Sequence, residues 1–547
     1  VQMGMESLVI EELKTIPTAF GELDVIKVVQ TLPGVKTMGE ASSGFNVRGG
    51  STDQNLILWN EGIIYNPTHL FGFFSAFNGS IVKDMELYKG SIPAKYGGRI
   101  SSVLDINSRR GNKEKYQGEV SLGLLTSSLA LEGPIKKGKT SLLLAGRTTY
   151  SDWILNMLPE NSGYKNGKAG FYDANLLLSH QFSPKNNLYI SGYYSHDQFN
   201  FLENEKYEYS NANASLQWVH LFNDNFRMVT TSGYDHYDYT TKNWQNDYDA
   251  FQMEYDINQY YLKMDFNHSQ LQKHRIDWGL NALVYDINPG NVKPYGTGSF
   301  YVPRTLQKEK ALEAALYLNE EWEITPQLTA SIGARYSFFN AFGNRVINTY
   351  KEGELPNTLN VTGTESKDGN LKTYHGPEFR LGLRYAFTDD FSVKAGFNTM
   401  RQYIHKVSNT MVMSPTDTWK LSDMFIKPQT GMQYSLGFYK NLMDDQLEAS
   451  IEGYYKTMDN YLDYRSGAQL LMNDHLETEV LPTEGRAYGV EFMLKRPKGK
   501  FNGWLSYTYS RTELQQNDPR IAKPVNKGEW YPAEYDKPHD IKLVGNY

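Results

Sequence analysis

The chain has 547 residues, a formal net charge of −7 and no cysteine, which excludes disulfides and thiolate metal sites. Mean hydropathy is −0.55, and no apolar run reaches the roughly 18 residues a membrane-crossing helix needs. The mild charge carries no clustered Lys/Arg footprint of the kind a nucleic-acid partner requires. A cysteine-free chain suits a secreted or envelope protein. Tyrosine is the outlier, at 40 residues. Its ring with a polar tip fits a membrane–water interface, and it also favours strands, so composition leaves a soluble all-β protein and a membrane barrel equally open.

Residues 1–115 read as a mixed α/β domain. The opening VQMGMESLVI lacks the basic region and cleavage site of a secretory signal, which reads as a mature or trimmed chain. Val25, Val28, Val29 and Leu32 follow the i, i+3, i+4, i+7 spacing of a helix, which Pro33–Gly34 ends. Strands are predicted at Gly44–Arg48, Asn55–Tyr65, Val82–Tyr88 and Ser102–Ser108. Glycines at 49–50, 62, 90 and 97–98 permit the turns between them.

After about residue 118 the pattern changes to period 2. Leu328, Ala330, Ile332, Ala334 and Tyr336 share one face, and Thr329, Ser331, Gly333, Arg335 and Ser337 the other. The segment Leu447–Lys456 repeats this, with Glu448, Ser450, Glu452, Tyr454 and Lys456 on its polar face. Val490, Phe492 and Leu494 alternate with Glu491, Met493 and Lys495. Short polar turns are predicted at Ile135–Lys139, Ser183–Asn187, Asn223–Asn225, Gln270–Lys273, Thr325–Gln327, Thr388–Asp390, Met443–Gln446 and Pro497–Lys500. Between them lie long segments at 148–170, 198–211, 288–308, 340–373, 405–427, 465–484 and 515–534. Strict alternation of tight and long connections is how an outer-membrane barrel is built, and a soluble sandwich has no reason to keep it. The count comes to about 18 strands, most long enough to cross a bilayer at a tilt.

The text PGV at Pro33–Val35, FNVRGG at Phe45–Gly50, NLILWNEGIIYNP at Asn55–Pro67 and ELYKGSIPAKYGGRISSVLDI at Glu86–Ile106 resembles the TonB-dependent outer-membrane receptors. The resemblance covers essentially the whole chain and is strongest before residue 115. It implies a mainly β fold: an α/β plug domain, 1–115, inside a large antiparallel transmembrane β-barrel, 116–547, of about 22 strands in the family. The NPTHLFGFFSAFN text at Asn66–Asn78 resembles receptors of Bacteroidota-type bacteria more than the glycan-importing SusC type. Against the family, the acidic LLDG turn is replaced by Leu58–Trp59–Asn60–Glu61–Gly62, and no TonB box or regulatory β-domain is recognised. With about four strands fewer than the family, the chain is expected to be truncated at both ends, its C-terminal strands included.

The resemblance assigns roles to residues. Arg48 and Arg99 match plug arginines that pair with glutamates on the barrel wall, and Glu491 matches one such glutamate. The second family position falls near Gln433–Ser435 and is not acidic. An arginine between plug and wall calls for a bidentate acceptor in a partly dry interface, which would make Arg48, Arg99 and Glu491 a latch that yields under force. The alternative for Arg48 is a cap on plug carbonyls. Tyr65, His69, Phe71, Phe73, Phe74 and Phe77 lie between plug strands and are candidates for an apical ligand platform, or else for packing inside the plug. Met400, Met411 and Met413 are weaker contacts, read first as gap fillers.

Enzymatic signatures are lacking. Glu320 and Glu321 point to opposite faces, RGGS and YGGR do not have phosphate-loop spacing, and HExxH, GxSxG and a catalytic cysteine are missing. No metal site and no cofactor are expected. The predicted function is an outer-membrane receptor that binds a scarce nutrient and imports it by energy-coupled movement of the plug. The alternative is a plugged-barrel scaffold for envelope proteins. Expected partners are outer-membrane lipid, a periplasmic TonB-type energy transducer, a small-molecule, metal-chelate, peptide or glycan ligand, and a surface lipoprotein. A diffusion porin is disfavoured, because a domain of this size would obstruct its channel.

Overall fold

The computed structural model describes residues 4–9, 23–37, 44–150, 152–157, 159, 167–200, 204–271, 273–408, 414 and 416–547. Met411, Met413 and the side chain of Phe71 lie outside that description. The inner domain is built on a five-stranded sheet in the order Met5–Val9, Val82–Tyr88, Ser102–Ser108, Asn55–Trp59, Gly62–Ile63. Asn55–Trp59 runs parallel to Ser102–Ser108, and the other neighbours are antiparallel. A short helix, Val25–Val29, is capped by the Asp24 carboxylate, which accepts from Lys27 N at 3.0 Å. Its Val25, Ile26, Val28 and Val29 pack with Ile57, Trp59, Leu104 and Ile106 of the sheet.

Two of the predicted strands are shorter than the sequence pattern suggests. Only Asn46–Val47 of Gly44–Arg48 is strand, because Arg48 and Gly49 take φ of 46° and 73°. Asn55–Tyr65 is broken by a two-residue hairpin at Asn60–Glu61, with φ of 48° and 76°. Two positive-φ residues are what the right-handed twist of such a hairpin demands. Asn60 suits the position and its Oδ1 accepts from Ser108 N at 2.9 Å. Glu61 is held there by the wall, since Lys263 Nζ reaches its carbonyl at 2.7 Å and its carboxylate at 3.0 Å.

Around this domain runs a 20-stranded antiparallel sheet from Gln117–Leu122 to His539–Asn546. Arg304–Thr305 and Tyr531–Pro532 are two-residue pieces of it, which leaves eighteen principal strands. Among the described residues, Gln117–Leu122 and His539–Asn546 form its two edges. All eight tight turns lie where the sequence places them, on one rim. The opposite rim carries the other connections, among them the hairpins Arg345–Tyr350 with Val361–Lys367 and Ile404–Val407 with Thr418–Leu421. One expectation is corrected here. Most of 198–211 is strand, because Asn186–Asn200 and Glu205–Asn223 stay paired as far as Phe199↔Tyr207. A further connection, 244–250, lies between Asn243 and Phe251. Polar residues such as Asn211 and Asn213 look like loop text, but here they line the lumen face of a strand.

The period-2 pattern sorts the faces. Leu316, Ile332, Tyr336, Ile451 and Val490 project outward, while Glu313, Arg335, Glu452, Lys456 and Glu491 are buried toward the inner domain. Near the tight-turn rim, Phe182, Trp218, Phe222, Trp278, Trp322 and Phe387 form an exposed aromatic belt, with Phe266 and Trp278 stacked at 4.0 Å. Such girdles sit at membrane interfaces.

Leu316 is 65% exposed at the middle of Glu309–Glu323, facing lipid. Leu316→Lys is expected to destabilise the barrel by about 2–4 kcal/mol, measured by reversible denaturant unfolding in lipid vesicles.

Candidate functional site

A dense group of charged contacts between the inner domain and the wall forms around Arg48. Its backbone is in the left-handed region, and its N–H donates to Gly34 O at 3.0 Å. That turn aims the guanidinium at the wall. Nε and Nη2 donate to the two oxygens of Glu491 at 2.8 and 2.9 Å, a bidentate fork. Nη2 also donates to Glu452 Oε2, whose other oxygen accepts from Tyr439 Oη at 2.7 Å. Lys89 joins from the next strand end, with Nζ 3.0 Å from Glu491 Oε2 and 2.8 Å from Pro33 O. Two cations thus meet two wall carboxylates. Burial alone would lower the Lys89 pKa, but the Glu491, Glu6 and Glu452 charges outweigh it and hold the pKa above its ordinary value, so the ammonium stays charged.

The surroundings are shaped to this contact. Gly34 has φ 73°, and a Cβ there would fall 2.0 Å from Glu491 Oε1. Gly34 N donates to Thr508 Oγ1 of the wall at 3.0 Å. Near Gln433–Ser435, where the sequence suggested a missing second acid, Gln433 Nε2 donates to Lys89 O at 3.1 Å. The second acid is Glu452, one strand over. Its inward face was legible from alternation, but its partner was not.

Arg99 does not belong to this cluster. Among the described residues it makes no ion pair. Its Nη1 donates to Gly98 O at 2.8 Å, and its guanidinium lies 5.3 Å from the Trp419 ring centroid. A turn that points one arginine at the wall carboxylates leaves the other on a different strand set.

The aromatic segment is also placed differently from a ligand platform. Tyr65, His69, Phe74 and Phe77 are buried, and among the described side chains of these candidates only Phe73, 53% exposed, faces solvent. Tyr65 Oη donates to Gln259 Oε1 of the wall at 2.5 Å, and Phe77 packs on Trp59 with centroids 5.6 Å apart. His69 is enclosed between Asp197 and Phe171. Met400 is buried against Leu56, Leu58 and Ile100.

The open space lies elsewhere. A cavity of about 680 Å³ sits at the rim with the long connections. Its floor is Asn46, Ser51, Thr52 and Asp53 of the inner domain. Its walls include Tyr461, Asp463, Tyr464, Arg465, Tyr531 and Tyr535. Several of these groups are already oriented. Tyr531 Oη and Gln516 Nε2 both donate to Asp463 Oδ2 at 3.0 Å. Tyr535 Oη donates to Gly49 O at 3.2 Å, and Gln402 Nε2 to Asp53 Oδ2 at 3.0 Å. Tyrosine hydroxyls and carboxylates around an apolar ring surface can bind an organic, hydroxyl-bearing molecule, and the volume falls in the range of small-molecule sites. Sequence reasoning missed this site, although YLDYR at Tyr461–Arg465 places three such residues at a strand end.

The family model described as "TonB dependent receptor-like, beta-barrel" matches residues 149–539, and that described as "TonB-dependent Receptor Plug Domain" matches 15–103. No curated protein sequence matches the chain. Among solved structures, a hemophore receptor of Serratia marcescens in complex with its hemophore and heme is similar at 12% identity and TM-score 0.69, over 98% of this chain and 86% of that one. An iron transporter of Neisseria meningitidis is similar at 12% identity and TM-score 0.67, over 95% and 81%. A ferric enterobactin receptor of Pseudomonas aeruginosa is similar at 14% identity and TM-score 0.62, over 94% and 84%. At these identities the likeness is one of fold.

Glu491→Gln leaves Arg48 and Lys89 buried with one carboxylate fewer, and is expected to destabilise the inner domain by about 3–5 kcal/mol. Gly34→Ala, which collides with the same carboxylate, is expected to act in the same direction. Protease protection of the inner domain across a urea series measures both.

Proposed function

The chain belongs to the TonB-dependent receptors, which are outer-membrane transporters and not enzymes, and from that premise we propose that it takes its ligand in the 680 Å³ cavity and passes the signal of occupancy to the Arg48 cluster. It imports a nutrient across the outer membrane and couples to a TonB-type energy transducer. The observation that carries the proposal is one of sequence distance. The cavity floor, Asn46 and Ser51–Asp53, and the Arg48 contact share a single short segment of the plug. Tyr535, a cavity wall residue, bonds the carbonyl of Gly49, the neighbour of Arg48. A ligand that displaces Tyr535 or engages Asp53 therefore acts on the backbone that aims the guanidinium.

In this reading Arg48, Lys89, Glu491 and Glu452 are the latch, and Arg99 supports the plug away from it. Glu6 lies on the first plug strand, 3.7 Å from Lys89 Nζ, and Gly4 O accepts from Lys89 N at 2.7 Å. Tension on the start of the plug would reach the latch through these two contacts. A buried ion cluster suits a latch, because water entering the gap solvates the released charges and lowers the cost of parting.

The ligand we favour is an organic nutrient or metal chelate that presents hydroxyl or carbonyl groups to Tyr461, Tyr464, Tyr531, Asp463 and Arg465. The ferric enterobactin and heme named for the similar structures are of this broad kind. A surface lipoprotein as a further partner is consistent with exposed aromatic loops on the same rim, where Tyr248 stacks on Phe300 at 6.1 Å. The Bacteroidota-type subtype rests on the Asn66–Asn78 text.

Cells that depend on this chain should take up its nutrient only while the inner membrane is energised. Tyr461→Ala with Tyr531→Ala should weaken ligand binding by about 2 kcal/mol or more, as truncated aromatic anchors do. Uptake of a labelled nutrient panel with and without a protonophore tests both, and uptake at full rate in de-energised cells would sink the reading.

A further inference from the structure

The Arg48 latch sits near the tight-turn rim, five residues from the wall strand ends at Arg496 and Leu447. At the opposite rim, and on other wall strands, a second charged contact encloses His69. Its side chain is fully buried. Nδ1 lies 2.6 Å from Asp197 Oδ2, and Nε2 lies 3.5 Å from Asp173 Oδ2. The imidazole stacks on Phe171 at 4.1 Å with an interplanar angle of 6°. The next residue, Leu70, has φ 47°, a strained value for leucine, and its N–H donates to Asp197 Oδ1 at 3.0 Å. One wall carboxylate thus grips both the ring and the backbone of the plug.

Other wall groups hold the same hairpin, Thr68–His69 with Phe74–Ser75. Arg147 pairs with Asp173 at 2.7 Å and donates to Ser75 O at 2.8 Å. Tyr193 Oη donates to Ala76 O at 3.0 Å, and Tyr209 Oη to Thr68 O at 3.5 Å. From the plug side, Asp24 accepts from Ser75 N at 3.0 Å. The titratable and charged groups facing His69 and its hairpin are therefore Asp173, Asp197, Arg147, Tyr193, Tyr209 and Asp24.

We propose that His69, clamped by Asp197 and Asp173, is a second plug–wall lock that keeps the Tyr65–Phe77 segment on the wall when the Arg48 latch yields. His69 is a positioning residue in this scheme. The two locks are of different chemistry. The Arg48 latch holds permanent cations at the end where tension arrives. The His69 lock holds a titratable one at the ligand-facing end. The plug then parts from the wall at its tight-turn end first, while its far end stays anchored and can guide the plug back. Burial lowers the histidine pKa, but the Asp197 charge and the two carboxylate contacts outweigh it, so the folded pKa is raised. The lock is accordingly at full strength below the ordinary histidine pKa and is lost as pH rises through the raised folded value.

The chain contains no cysteine, so single reporters can be placed at will. Phe73→Cys, on the exposed tip of the hairpin, and Lys83→Cys, on the strand leading to Lys89, each carry an environment-sensitive dye in the full chain, purified in detergent. In a urea titration the Lys83 reporter is expected to respond first. His69→Gln should raise the opening constant at the Phe73 reporter roughly tenfold to a hundredfold, as loss of a charge-assisted hydrogen bond does, and move the Lys83 reporter little. Asp197→Asn should do the same. Raising the pH should shift the Phe73 reporter of the parent toward the His69→Gln value, and leave His69→Gln unmoved. Equal shifts at both reporters, no shift in either variant, or a pH response that survives in His69→Gln would overturn the proposal. The measurement uses neither nutrient nor energy transducer, so its failure is separable from failure of the transport reading.

Discussion

A domain lodged inside a barrel must satisfy two surfaces with one set of side chains, and here the bidentate contact of Arg48 with Glu491 is where that constraint is met. A guanidinium withdrawn from water is costly unless its donors are matched in plane. Glu491 supplies the matched pair and Glu452 an additional acceptor. Much of the neighbouring backbone follows from this geometry. Arg48 takes positive φ so that its side chain faces the wall, and Gly34 is bare because the carboxylate occupies the space a Cβ would need. Lys89 and Gln433 complete the charges and hydrogen bonds around it.

The lumen as a whole obeys the same rule. Polar residues on the inner face of the wall would be poor core in a soluble sandwich, yet here many of them find a plug atom or another wall side chain. Asp235 accepts from Ile63 N and Gln259, Lys263 grips Glu61, and Lys456 reaches Ser101. Apolar side chains are buried in two large clusters: one centred on the plug, where the helix Val25–Val29 covers one face of the five-stranded sheet, and one where Tyr65, Leu70 and Phe74 meet inward-facing wall aromatics such as Tyr209, Tyr255 and Phe339. The wall is stabilised by its ladder of hydrogen bonds and by lipid on its outer face, with the plug filling its lumen. Gaps remain between plug and wall on the tight-turn side, such as that beside Glu61 and Arg110, and contacts at their margin are polar, as where Lys263 grips Glu61.

Sequence patterns made the strands, the eight tight turns and the inward side of Glu491 legible, because each depends on neighbours two residues apart or on local turn chemistry. They were less reliable where a strand is polar on both faces. The stretch 198–211 reads as loop, yet 198–200 and 205–211 are strand, because the lumen face bonds to the plug and to adjacent strands. The aromatic segment Tyr65–Phe77 reads as an exposed platform or as packing inside the plug. Burial depends on what stands opposite, and Phe171, Tyr193, Asp197 and Trp419 come from distant parts of the chain.

By itself, then, the sequence determined the class of machine: a glycine-punctuated α/β domain followed by alternating strands with unequal rims. Those are short-range properties, written in consecutive residues. Tertiary structure alone decided which charges meet. Arg48 and Arg99 look equivalent in their motifs, but the winding of the wall around the plug brings Glu491 and Glu452 to the first and Trp419 to the second. It likewise put His69 in contact with the wall, and opened a cavity at Tyr461–Arg465 and Tyr531–Tyr535. The pairing partners lie hundreds of residues apart, and register around a barrel is set by the sum of its strands, which no local pattern records.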